Sequence, residues 1–191
     1  DWFYENVRAS YEYDLVNGFS DGKFHPNENL TIGQAIKLAA CLNSLYSSGT
    51  ADFASSTPWY QTYVDYAQRN GILTRTFDNC NAPATRSEFA AVLAGALPRG
   101  ALQPINSIAD GAIPDVSASA ENADAIYLLY RAGVLTGSNG GRFKPNDPIR
   151  RSEVAAIITR MAVPSLRQSV TIDTDKPAEN VLSADEILAK C

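Results

Sequence analysis

The stretch TRSEFAAVL, Thr85 to Leu93, returns as RRSEVAAII, Arg150 to Ile158, with five of nine positions identical. A fainter copy, TIGQAIKLA, begins at Thr31. Thr31 with Gln34, and Thr85 with Glu88, have capping-box spacing. The Thr hydroxyl accepts from the backbone three residues on, and the Gln or Glu reaches back to the cap amide. Behind each start runs an apolar stripe with helical spacing. Ala35, Ile36, Ala39, Leu42 and Leu45 form the first stripe. Phe89, Val92, Leu93 and Ala96 form the second, and Val154, Ile157, Ile158 and Met161 the third. The same helix start is therefore written three times, twice with an arginine in it.

Upstream of each start the repetition continues. WFYENVRASYEYDLV, from Trp2, aligns without a gap on WYQTYVDYAQRNGIL, from Trp59, and a third copy, ENADAIYLLYRAGVL, runs from Glu121 to Leu135. Each has apolar residues three and four apart, and the last two have a glycine near the end, which predicts amphipathic helices with C-terminal stops. Between the helices, GFSDGKFHPNENLT (Gly18 to Thr31) matches GSNGGRFKPNDPIR (Gly137 to Arg150) in length. Shared glycines provide positive φ for tight turning, and Phe24 and Phe143 are expected to plug the core. The middle loop, TRTFDNCNAPA, is about three residues shorter and lacks the paired glycines, though Phe77 and Pro83 remain.

The predicted fold is all-α: three helix-loop-helix repeats in a pseudo-threefold bundle, followed by a short, partly extended tail. Two helices of this size cannot bury their stripes alone, so the copies must pack together. Repeat 1 takes residues 1–50, repeat 2 residues 51–100, and repeat 3 residues 101–163 with a Pro-rich connector, leaving 164–191 as tail. The connector from Leu97 to Ser119 is expected to cross the surface in extended form. A last helix is expected from Ser183, which forms a capping-box pair with Glu186.

Composition narrows the function. Hydrophobic content of 45% and charge of 19% in 191 residues describe a globular chain. The net charge of -5 disfavours nucleic acid, whose phosphates need a basic face. Apolar runs are too short for membrane insertion. No charged-then-apolar leader opens the chain, so any secretion signal is expected to have been removed or to lie outside it. Three cysteines and one histidine match no metal pattern, so neither a metal nor a cofactor is expected.

The arginine is the unexplained residue. Arg86 and Arg151 recur in register in the first helical turn, where the macrodipole disfavours a cation. Beside free helix and loop amides, an arginine makes a pocket for a carboxylate or phosphate.

The Trp-led helix, the G-x-x-D-G-x-F-x-P-N turn and the T-R-S-E-x-A-A start resemble the S-layer homology (SLH) repeat, three copies over about residues 1–163. The resemblance implies an extracellular module on the bacterial cell surface. It would bind secondary cell-wall polysaccharide at a pyruvate ketal carboxylate, in grooves between repeats. It implies ligand contacts at Arg86, Arg151, Ser152, Arg150, Gly137, Ser138 and Trp59. Ile32 replaces the arginine in repeat 1, and Arg150 replaces the capping Thr in repeat 3. Repeat 1 also lacks the Asp-Val opening that repeat 3 shows as Asp115-Val116, so it is expected to be N-terminally incomplete. The tail LSADEILAKC resembles a segment leading into trypsin-like peptidase domains, implying a fused downstream domain.

Rival readings are weaker. Asp21, Glu28 and Asp115 could be imagined as paired acids, yet no motif organises them, and His25 has no nucleophile signature nearby, so no catalytic residue is expected. Asn17, Asp21, Gly22 and Glu28 fit calcium-loop positions, but Phe19 supplies no oxygen. The serious alternative is a structural, self-assembly or protein-interaction module, or the non-catalytic part of a surface peptidase.

Overall fold

The computed structural model describes residue 8 and residues 21–138 and 141–172. The first helix of repeat 1 and the helix expected from Ser183 fall outside the described residues. Five α-helices lie within them: α1 (Ile32–Ser48), α2 (Gln61–Arg69), α3 (Arg86–Ala94), α4 (Ala123–Arg131) and α5 (Arg151–Ala162). Among the described residues there is no sheet, only isolated bridges, in keeping with the expected all-α class.

The repeated starts form as their chemistry dictates. In α1 and α3 both halves of the capping box close: Gln34 N–H donates to Thr31 Oγ1 and Glu88 N–H to Thr85 Oγ1, with the return bonds at 2.9 Å each. Arginine has no acceptor, so α5 closes only half a box. Glu153 accepts from the Arg150 amide at 3.1 Å, while its own N–H turns to the Arg150 carbonyl at 3.0 Å. Gly49, at φ +80°, ends α1 by donating to Leu45 O. The glycines expected as stops after the first helices, Gly71 and Gly133, likewise have positive φ.

The three second helices are tied into a ring. Leu30 N–H donates to Ile149 O (2.9 Å), Ile149 N–H to Ala84 O (3.0 Å), and Ala84 N–H to Leu30 O (2.8 Å). All three residues are at most 2% exposed, so this closed triangle of backbone bonds runs through the core. Each residue lies just before a helix start of a different repeat. The triangle is the pseudo-threefold axis, and it forces the stripes inward: Ile36, Ala39, Phe89, Leu93, Val154 and Ile158 are all buried. α1 packs on α2 and α3, and α3 on α4. Burying large side chains such as Tyr127, Phe89 and Phe143 contributes about 1.5–3 kcal/mol each.

Two expectations are corrected. Leu45 was placed in the first stripe but is 38% exposed, because α1 outruns the core by its last turn. The Leu97–Ser119 connector is no surface strap: Leu102, Ile108, Ile113 and Val116 are buried. Its polar backbone is satisfied internally. Ile105 and Asn106 amides donate to Arg131 O, Arg131 Nε donates to Ile108 O, and the Tyr127 hydroxyl donates to Val116 O. Apolar residues every few positions along a Pro-rich segment give no helical period, which hid this role.

Candidate functional site

The arginines of the repeated start lie between repeats. The Arg86 side chain, almost fully buried, leaves repeat 2 and lands on the loop of repeat 3. Its Nε donates to Phe143 O at 2.6 Å, its guanidinium lies 5.0 Å from the Phe143 ring centre, and Nη1 pairs with Glu153. Arg151 does the same to repeat 1: Nε donates to Phe24 O at 2.9 Å and the guanidinium lies 4.7 Å from the Phe24 ring centre. Burial pulls the Arg151 pKa down, a pull that nearby Glu28 opposes.

The backbone follows the same rotation. The first two amides of each second helix donate to the loop of the next repeat. Arg86 and Ser87 reach Asp147 O and Pro145 O, Arg151 and Ser152 reach Glu28 O and Pro26 O, and Ile32 and Gly33 reach Ala82 O and Cys80 O. The helix amides that an anion would need are therefore already bonded. Any ligand must be met by side chains, not by a bare helix N-terminus.

Ile32 leaves one Phe without its arginine, and a different residue fills the gap. Arg75, from the short loop of repeat 2, stacks on Phe77 at 4.8 Å and donates to Glu88 at 3.0 Å. Phe77 and Glu88 are the counterparts of Phe143 and Glu153, so Arg75 occupies the place that an arginine at position 32 would take. A second Nη bonds Glu121 at 2.6 Å, linking repeats 2 and 3. Sequence reading missed this because Arg75 stands outside the repeated start.

Where repeats 2 and 3 meet, a cavity of about 100 Å³ opens, lined by Arg86, Glu153, Gly137, Arg160, Leu135 and Ile157 among others. Gly137 is required at its corner. It has φ +74°, and a Cβ there would lie 2.8 Å from the Tyr130 hydroxyl. Two expected site residues, Arg86 and Gly137, thus share one cavity. The corresponding corner of repeat 1, at Gly18, lies outside the described residues.

Comparison with known proteins points to one family. The S-layer homology domain model matches residues 1–36 and 112–155. Over these segments the chain is similar to S-layer homology domains. The middle repeat falls outside the matched segments, and it is the copy with the shortened loop. The chain is also 33% identical to "Surface-layer 125 kDa protein" of Lysinibacillus sphaericus over 101 residues, 48% of this chain and 9% of that protein. It is 30% identical to "Cell surface glycoprotein 1" of Acetivibrio thermocellus over 159 residues, 76% of this chain and 7% of that protein. The chain thus spans less than a tenth of either relative.

The other expected contacts of the SLH reading are dispersed. Ser152 is 3% exposed beneath the loop of repeat 1, whereas Arg150 is exposed. Ser138 is exposed and folds onto its own loop, its hydroxyl donating to Arg142 O at 3.0 Å. Trp59 is 44% exposed and stacks edge-on against Tyr60 and Tyr63, near the junction of repeats 1 and 2. The acids weighed as catalytic hold the loops. Asp115 accepts from the Phe143 and Lys144 amides at 2.8 Å each, and Asp21 accepts from Lys23 N–H at 3.0 Å and contacts His25.

Proposed function

We propose that this SLH chain is a non-catalytic anchor of a bacterial cell-surface protein. It binds anionic, pyruvylated secondary cell-wall polysaccharide in a groove between repeats. The SLH match and the similarity to two proteins with surface-layer and cell-surface names support the location. The chemistry rests on one observation: two arginines, Arg86 and Arg160, line a cavity that also has apolar walls at Leu135 and Ile157. A pyruvate ketal carries a carboxylate and a methyl group on one carbon, so it offers one group for each kind of wall. Arg151, Ser152, Arg150, Ser138 and Trp59 remain proposed contacts of this and the neighbouring grooves.

Calorimetry with wall polysaccharide, before and after mild acid removal of pyruvate, tests this reading. Binding that disappears with the pyruvate supports it. Equal binding to both forms would move the chain to the protein-interaction or self-assembly reading.

A further inference from the structure

Arg160 has a role that the repeated start does not explain. It stands in the last turn of α5, nine residues after Arg151, and lines the same cavity as Arg86. A basic residue in the last turn suits the helix dipole. That accounts for its type but not for its surroundings. Its side chain donates one long, neutral hydrogen bond, Nη1 to Val134 O at 3.2 Å. Among the described residues no carboxylate pairs with it. Three other arginines have carboxylate partners: Arg86 has Glu153, Arg75 has Glu88 and Glu121, and Arg131 has Asp110. Burial without a counter-charge lowers the Arg160 pKa, as desolvation of a cation does.

We propose that Arg160 is the ligand-binding cation of the groove between repeats 2 and 3, and that Arg86 is a positioning residue held by Phe143 and Glu153. This rests on the polysaccharide reading and sharpens it. Charge supports it: two arginines and one glutamate line the cavity, leaving one net positive charge, which one carboxylate neutralises. A doubly charged phosphate would overcompensate it and would also meet Glu153. Size supports it as well, since about 100 Å³ far exceeds the roughly 10–15 Å³ that a single water requires. A further polar group lies behind the lining, screened from the cavity by Gly137. The Tyr130 hydroxyl is fully buried, has no partner among the described residues, and lies directly behind Gly137.

The test compares wild type, Arg160→Gln and Arg160→Lys by calorimetry against pyruvylated wall polysaccharide and its pyruvate-free counterpart. Arg160→Gln keeps a donor for Val134 O and should melt near the wild type. It should nevertheless lose on the order of 10–100-fold in affinity for the pyruvylated form. Arg160→Lys should recover part, because a point charge replaces a planar fork. Nitrogen-15 spectra of the unaltered chain give a second readout that needs no variant: on adding the pyruvylated form, the Arg160 side-chain N–H signals should shift more than the Arg86 Nε signal. Wild-type affinity in Arg160→Gln, or a silent Arg160 signal during binding, overturns the assignment and leaves the polysaccharide reading standing. A wild type that binds neither form overturns the polysaccharide reading, and this assignment with it.

Discussion

Arg86 joins chemistry that sequence alone keeps apart. Register, position and a neighbouring turn single it out, and they suggest an anion pocket. What they cannot supply is its partner, because Phe143 and Glu153 lie 57 and 67 residues away. Removing the side chain leaves Glu153 and the Phe143 carbonyl without their donor in a largely buried place. Arg86→Ala should therefore destabilise the fold by about 2–3 kcal/mol, after discounting for the partial exposure of Glu153. Urea denaturation with an unchanged slope is the check, and an unaltered midpoint would deny the latch. Loss of ligand binding in that variant would consequently say little about direct contact, which is why Arg160 carries the binding test. Tyr130 makes the opposite prediction. Its hydroxyl is buried without a partner among the described residues, and burial pushes its pKa far above the ordinary phenol. The unfolded phenol ionises near pH 10, while burial holds the folded one neutral to higher pH. Stability from this group is thus fully present below about pH 10 and is lost as the pH rises beyond it. Tyr130→Phe should match or exceed wild-type stability at pH 8, by up to about 1 kcal/mol, and decline less between pH 9 and 11. A variant clearly weaker at pH 8 would mean that the hydroxyl has a stabilising bond.

At the scale of elements, the second helices were legible because caps and stripes are local signals. Thr31, Gln34, Thr85 and Glu88 close the boxes that their spacing announces. The first helices are shorter than their repeated patterns: Gln61–Arg69 and Ala123–Arg131 occupy only the middle of the copies. The buried connector was illegible, since its contacts with Arg131 and Tyr127 depend on tertiary placement. Arg75 belongs to the same class of surprise. Because it already stacks on Phe77 and bonds Glu88, restoring the motif with Ile32→Arg should not simply rebuild a latch. That variant should destabilise the chain, as Ile32 is 7% exposed and two guanidinia would compete for one ring. Adding Arg75→Ala should relieve part of the loss. A double-mutant cycle should give a coupling of at least about 0.5 kcal/mol, and additive effects would refute the replacement.

For the whole molecule, the triangle of Leu30, Ala84 and Ile149 makes the repeats interdependent. Each second helix takes its first two amide partners from the next repeat around the ring. An isolated segment of residues 101–172, repeat 3 with the described part of the tail, would leave the Arg151 and Ser152 amides and Ile149 N–H without carbonyls, and its stripe uncovered. It should be largely unfolded by far-ultraviolet circular dichroism at 25 °C, whereas the chain as described should melt cooperatively. A stably helical isolated repeat would contradict the ring. The same closure creates the cavity between repeats 2 and 3, so fold and candidate site share one cause. The most direct measurement of that link is a crystal structure of the chain with a pyruvylated wall-polysaccharide fragment. The predicted result is the ketal carboxylate within hydrogen-bond distance of Arg160, its methyl group against Ile157 or Leu135, and Arg86 still on Phe143. A fragment bound elsewhere on the ordered chain, with this cavity filled only by water, would contradict the account.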